Sequence, residues 1–388
     1  MQRQDGFLLA LSAITTSLLI SGVVHAPWSN PKLYSDIVDS FFGRDWVQTR
    51  SLPYLTSSFE YPVVAGLLTY LARAFTSTVN GFYDVFVAYS LLAGAAIAWA
   101  CAGIARRTGK DLNPLYFLMP SFLVFGIYNF DLFHAAFLIL ALFAFIMKKD
   151  TLSAVLLGLA VDTKLVSAVL LPVLLIEMKG RGKRLRYLVA FAITVAAFNI
   201  PFAILNFSTF LQGYQFVGNY GLENAWYIWI FQDPSQWWYA KIFGLSISVL
   251  LLLRVYTLKM GLLPKSFLAI AAYLLGTYIY APQFNLTLIP IIAVLDTRDS
   301  ALYPWDGLNA MIILTWFVGC CGASWTPTLP GSLPQYFAVL RAVALALLSI
   351  GVAARAGHSL PQWFSHKVGM KGGGQNETLD QAIQGTVP

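Results

Sequence analysis

Apolar runs recur along the whole chain, each broken by a short polar or basic stretch. The pattern predicts membrane helices over 7–25, 82–105, 113–128, 132–147, 151–161, 164–177, 187–205, 238–258, 265–280, 284–295, 307–323 and 335–354. A crossing takes about 20 apolar residues, and fewer where a helix lies inside a bundle. The predicted class is therefore all-α, a polytopic transmembrane helical bundle of about 10–13 spans. Residues 1–354 are expected to form one integral-membrane domain, with 26–81 its long outer first loop. Residues 355–388, with Gly372-Gly373-Gly374, read as a cytoplasmic, mostly disordered tail. The first run is long and many spans follow it, so it is expected to be an uncleaved helix and not a signal peptide.

Composition narrows the class further. Hydrophobic residues make up 58% of the 388 positions and charged residues 11%, where a soluble globule carries about a quarter charged. That deficit rules out a water-soluble enzyme, a disordered chain and an ordinary nucleic-acid binder. The formal charge of +7 gains its meaning from where the cations sit. Arg106, Arg107 and Lys110 form one cluster, Lys148 and Lys149 a second, and Lys179 to Arg186 a third. Arg254, Lys259 and Lys265 form a fourth, with Arg355, Lys367 and Lys371 in the tail. With these clusters, Arg3 and Arg298 on the cytoplasmic side, that side holds 18 of the 25 basic residues. Both termini are then cytoplasmic, and the segments 26–81 and 206–237 lie outside. Cys101, Cys320 and Cys321 show neither metal-ligand nor disulfide spacing.

This topology has two consequences. The run 62–79 cannot cross, because a crossing would invert the Arg106 cluster. It is expected to lie along the outer interface. The second and third basic clusters leave only about 28 residues to go out and return, so each limb reaches roughly 15–20 Å of a core about 30 Å thick. The tip, Asp162-Thr163-Lys164, should lie below the outer surface, where charge is tolerated only beside a wet or protein-walled cavity.

No Gly-rich phosphate loop, metal-binding His pair, GxSxG motif or nucleophilic cysteine is present. The unusual feature is the first outer segment, which holds Asp36, Asp39, Asp45 and Glu60 in a chain with 18 acidic residues. Asp36 and Asp39 are three apart and share a face of any helix formed there. Neighbouring carboxylates can raise one pKa and leave one as a base. A solvated loop with a helix cap accounts for the same residues. Asn206-Phe-Ser208 and Asn285-Leu-Thr287 match the glycosylation acceptor pattern, at the frequency chance gives in a chain this long.

Tyr34-x-Asp36 after the first helix, Pro53-Tyr54 further on, and Glu60-Tyr61-Pro62 opening an apolar run together resemble the GT-C superfamily. These are integral-membrane glycosyltransferases that use polyprenyl-phosphate-linked sugars. Within it the segment is similar to the polyprenyl-phosphate-mannose-dependent α-mannosyltransferases, and more loosely to the catalytic subunit of GPI mannosyltransferase I. Echoes follow at Asn129-Phe-Asp131, at Gly158 with Lys164, and at Ala281-Pro282-Gln283. The resemblance implies hexosyl transfer, mannose foremost, from a polyprenyl or dolichol phosphate to an acceptor hydroxyl at the extracytoplasmic face. It implies inversion at the anomeric carbon, with Asp36 as general base. The implied partners are the lipid-linked donor, a glycolipid or glycan acceptor and the bilayer, with no nucleic acid. The GPI branch carries Asp-x-Asp where this chain has Asp36-Ile37-Val38-Asp39. No cofactor is therefore expected, and no metal is required.

Lys164 and Arg341 are the candidate lipid-phosphate ligands, since cations beside a departing phosphate help most in the transition state. An ion pair of Lys164 with Asp162, and snorkelling of either cation, are the structural readings. Asp39, Arg44, Tyr54, Glu60, Asp131, His134 and Gln283 are candidates for binding sugar or acceptor. Against that, His134 can serve as a polar anchor and Glu60 can favour the start of the helix after Pro62. The aromatic residues of 206–237 suit either an interfacial belt or a sugar platform. A secondary transporter or lipid flippase is the rival class, and it would set Lys164 and Arg341 on one central pathway. A non-catalytic membrane scaffold is a third.

Overall fold

The computed structural model describes residues 2–29, 33–295, 300–317 and 325–357. The expected tail from 358 onward, Arg298, Cys320 and Cys321 lie outside them. Among the described residues there is no β-strand, only a single parallel bridge between Glu223 and Ile279. The α-helices in order are α1 (Gln2–His25), α2 (Asp36–Gly43), α3 (Asp45–Gln48), α4 (Val63–Phe75), α5 (Val79–Thr108), α6 (Pro120–Phe125), α7 (Asp131–Ile146) and α8 (Asp150–Thr163). They continue as α9 (Leu170–Glu177), α10 (Arg181–Leu205), α11 (Phe207–Asn219), α12 (Trp237–Thr257), α13 (Leu262–Gly276), α14 (Asn285–Ala293), α15 (Leu302–Trp316) and α16 (Leu333–Arg355).

Five helical segments are long and apolar enough to cross a bilayer: Gly6–His25, Val79–Thr108, Arg181–Leu205, Pro234–Thr257 and Leu333–Arg355. Two of them have plainly lipid-facing surfaces. On α10, Leu185, Ile193 and Ile204 are exposed, and on α12, Trp238, Leu245 and Leu250. The shorter apolar helices α7, α13 and α14 are buried nearly throughout. Short helices are tolerated there because protein, not lipid, surrounds their ends. The fold class expected from the sequence is the one observed.

Local chemistry explains where runs break. The run 113–128 is split by Pro114 and Pro120, since proline cannot donate to the preceding turn. Asn113 caps a short 3-10 turn, Pro114–Leu118, and Pro120 starts α6. The run 62–79 yields α4, whose 13 residues span about 20 Å, too short for a crossing. Arg73 on α4 is buried, donating from Nε to the Val47 carbonyl at 2.8 Å. The hairpin of α8 and α9 turns at Lys164, whose backbone is extended. Both limbs are as short as the spacing of basic clusters demanded.

Close backbone approach sets one part of the bundle. A Cβ on Gly244 of α12 would lie 2.3 Å from the Gly276 carbonyl oxygen of α13. Small residues permit such contact between membrane helices. Tyr227 uses it by donating to the same carbonyl at 3.1 Å. A Gly244→Val substitution should therefore separate α12 from α13 and lower the thermal midpoint of the purified protein by several degrees, an effect of about 2–3 kcal/mol. An unchanged midpoint would show that the two helices are not in backbone contact.

Candidate active site

A cavity of about 730 Å³ opens between the first outer segment, the hairpin tip at Lys164, and the segments around 214–224 and 273–284. Asp36 enters it from the first turn of α2. Ser35 fixes that turn: its hydroxyl accepts from Ile37 N at 3.3 Å and donates to the Tyr128 carbonyl at 3.1 Å. Asp36 Oδ2 accepts from the Tyr61 hydroxyl at 3.0 Å and from Asn129 Nδ2 at 3.2 Å. Asn129 turns its other end to α7, where Oδ1 accepts from Asp131 N at 2.9 Å. Asp131 Oδ1 then pairs with Lys164 Nζ at 2.5 Å. Asp36 and Lys164, both on the cavity wall, are thus joined by one continuous polar path through buried Asn129 and Asp131.

Burial pushes the Asp36 carboxyl above its usual range, while hydrogen bonds from Tyr61, Asn129 and Tyr34 and the Lys164 charge pull it back. A base held this way ionises only with its donors in place. Lys164 Nζ lies 3.6 Å from the centre of the Phe284 ring. Its ammonium has three donors, of which Asp131 takes one.

Other expected residues divide into two groups. Asp39, Arg44, Glu60 and Gln283 also line the cavity, with Arg44 donating to Glu60. Burial raises the Glu60 pKa and Arg44 opposes the shift. Tyr54, Asp131, His134 and Arg341 do not line it. Tyr54 is a buried pin. With φ at +65°, its hydroxyl donates to the Tyr61 and Pro62 carbonyls at 2.8 and 2.9 Å, setting Glu60-Tyr61-Pro62 against the cavity. A Cβ on Gly66 would collide with that hydroxyl. His134 is buried between Ser167 Oγ at 2.6 Å and Thr287 Oγ1 at 3.1 Å, a tie between α7, the hairpin and α14. Asp131 acts from behind, through Lys164.

Two expectations need correcting. Lys164 pairs with Asp131 and not with Asp162, which accepts from Asn199 Nδ2 at 2.7 Å. Arg341 is fully buried and does not line the cavity, but stands behind its wall at Asn224. Its guanidinium donates to Asn309 Oδ1 at 2.6 Å, to the Tyr280 carbonyl at 2.6 Å and to the Asn224 carbonyl at 3.3 Å. Asn309 in turn donates to Ser121, whose hydroxyl donates to Asp306, so the Arg341 charge is balanced across a buried network. Among the described residues the two cations share neither the single pathway expected of a transporter nor one groove beside Asp36, the arrangement expected of a transferase: Lys164 lines the cavity with Asp36 and Arg341 does not.

Glu223 is the cavity residue that the sequence did not reveal. It stands in Gly221-Leu222-Glu223-Asn224-Ala225, and the available signal was a lone carboxylate among aromatic residues. Its N–H donates to the Tyr278 carbonyl, and its carbonyl accepts from Tyr280 N, both at 2.9 Å. Burial, and then the Asp36 charge, push its carboxyl up to about 7. Tyr220, Lys164 and Arg341 oppose the rise.

The described helices and the cavity together define an all-helical membrane protein with a mainly apolar chamber of substrate size that carries several carboxyls. The chain belongs to glycosyltransferase family 87, whose match covers residues 59–277. It is a membrane glycosyltransferase. Among solved structures it is similar to ArnT from Cupriavidus metallidurans in the apo state, at 14% identity and a TM-score of 0.44, over 89% of this chain and 75% of that one. A comparison with curated proteins gave no match.

The Glu223 shift has a stability consequence. Its carboxyl ionises near 4.5 when unfolded and near 7 when folded, so folding takes up a proton between those values. Stability then declines as pH rises through that window. The thermal midpoint of the wild type, taken relative to Glu223→Gln, should fall from pH 4.5 to 7 and level off above. A difference that stays flat with pH would contradict the shift.

Proposed function

We propose that this glycosyltransferase moves a hexose, mannose by the resemblance of its first outer segment, from a polyprenyl-phosphate donor to an acceptor hydroxyl. The observation that carries the reading is the polar path from Asp36 through Asn129 and Asp131 to Lys164 along one cavity wall. It sets a carboxylate base and an ammonium a short way apart, as group transfer to a hydroxyl with phosphate departure requires. The acceptor hydroxyl gives its proton to Asp36, and its oxygen bonds to the anomeric carbon from the face opposite the phosphate. The bond from that carbon to the phosphate oxygen breaks, and its electron pair leaves with polyprenyl phosphate. The anomeric configuration inverts, and Asp36 returns its proton to water. No step passes through a metal.

Lys164 meets the charge on the departing phosphate oxygen in a water-poor site, where such a contact is strongest. Asp39, Arg44, Glu60 and Gln283 supply hydrogen bonds to sugar or acceptor. Arg341 has no phosphate role in this reading, because its Nη1 and Nη2 groups are turned to Asn309 and two backbone carbonyls behind the cavity wall. The distribution of basic clusters supports a cavity on the extracytoplasmic side with both termini inside. Residues 1–354 act as one catalytic domain.

Purified protein in nanodiscs, given a panel of polyprenyl-phosphate sugars and alcohols, should release polyprenyl phosphate. Asp36→Asn should lower kcat about 10²–10⁴-fold and leave polyprenyl phosphate binding unchanged. Lys164→Gln should weaken that binding. Near-normal turnover by Asp36→Asn, or unaltered lipid-phosphate binding by Lys164→Gln, would refute the roles given.

A further inference from the structure

We infer that Glu223 is a specificity-determining residue, which grips the acceptor through its hydroxyls and excludes an acceptor that is anionic at that point. The inference rests on the transfer reading above and names the substrate class of the same site.

The first argument is placement. Asp36 and Glu223 come from segments nearly two hundred residues apart, yet both line one cavity. The Glu223 backbone is pinned on both sides by its bridge to 278–280. The next residue, Asn224, is held at φ +54°, in the left-handed region that asparagine adopts more readily than most residues. Arg341 ties the Asn224 and Tyr280 carbonyls to α16 from behind. The bridge and this buried arginine thus fix the position of a single loop carboxyl. The fold itself asks nothing of that carboxyl. The three ion pairs among the described residues leave Glu223 out, and its side-chain partner is the hydroxyl of Tyr220.

The second argument is charge. The cavity wall carries Asp36, Asp39, Glu60 and Glu223 against Arg44 and Lys164. Arg44 is engaged by Glu60, and Lys164 by Asp131. The wall thus carries four carboxyls and two cations, each cation already facing a carboxylate. An anionic acceptor group would enter against like charge. A sugar or polyol brings hydroxyl donors instead, and half-buried carboxylates need such donors. Tyr34, Tyr61, Tyr220 and Tyr278 stand around the same space and offer ring faces to a sugar.

The test uses a matched pair of probes in nanodiscs: n-octyl glucoside and n-octyl glucuronide, which differ by one carboxylate. n-Octyl mannoside and galactoside complete the neutral set. Binding by equilibrium dialysis, with empty nanodiscs subtracted, needs no turnover, so its result stands apart from that of the Asp36→Asn assay. At pH 7.5 the wild type should bind a neutral glycoside, with the glucuronide about tenfold weaker than the glucoside. Glu223→Gln should lose about tenfold in neutral glycoside affinity and narrow the gap to the glucuronide, while still binding polyprenyl phosphate normally. If Glu223→Gln does not fold, Glu223→Asp, one methylene shorter, should show an intermediate loss. The inference is overturned if the wild type binds no neutral glycoside or prefers the glucuronide. It is equally overturned if a folded Glu223 variant keeps full affinity, or if neither variant folds.

Discussion

The structure depends on how one lysine is kept charged beside the apolar interior of the bundle. Lys164 stands where a hairpin too short to span the membrane turns back, and Asp131 at the head of α7 meets it at 2.5 Å. Removing one member of such a buried pair strands the other at a cost of about 3–5 kcal/mol. The pair therefore ties the hairpin to the start of α7. Because Asn129 caps that same helix start and also reaches Asp36, the requirement extends to the first outer segment. Satisfying one buried cation thus fixes the relative placement of base and cation in the proposed reaction.

A second buried cation is used differently. Arg341 serves the fold: it draws the backbone of 224 and 280 together and balances Asp306 through Asn309 and Ser121. Its ring contact with Tyr280, at 3.5 Å, completes the enclosure. Two intramembrane cations that look alike in the sequence therefore separate by environment. One stands on a cavity wall with a single carboxylate partner, and the other is enclosed behind that wall by Asn309 and two backbone carbonyls.

The bundle was legible because its signals are local and redundant. Apolar runs gave nearly every helix, and prolines explain the broken stretch near 114–120. Basic clusters demanded a short hairpin turning at Asp162–Lys164, and the chain does turn there between two short helices; the helix after Pro62 is 13 residues long. The first outer segment was legible through its carboxylates, and Asp36, Asp39, Arg44 and Glu60 do share one cavity. Pairings over long sequence distances were not legible. Nothing near Lys164 indicated that it would choose Asp131, 33 residues away, over Asp162 two residues away. Tyr54 and His134 carry no local mark that separates a buried pin from a ligand. Glu223 was hidden because its position depends on a bridge to 278–280 and a clamp from α16, neither of which leaves a periodic trace.

The central claim is that the lipid phosphate is held by Lys164 on the wall that presents Asp36. A cryo-electron microscopy map of the nanodisc-embedded protein with polyprenyl phosphate bound tests it most directly. The account predicts phosphate density within hydrogen-bond reach of Lys164 Nζ, with the Asp131 pair intact and Asp36 facing the same chamber. Phosphate density elsewhere in the bundle, with Lys164 contacting no lipid, would contradict it.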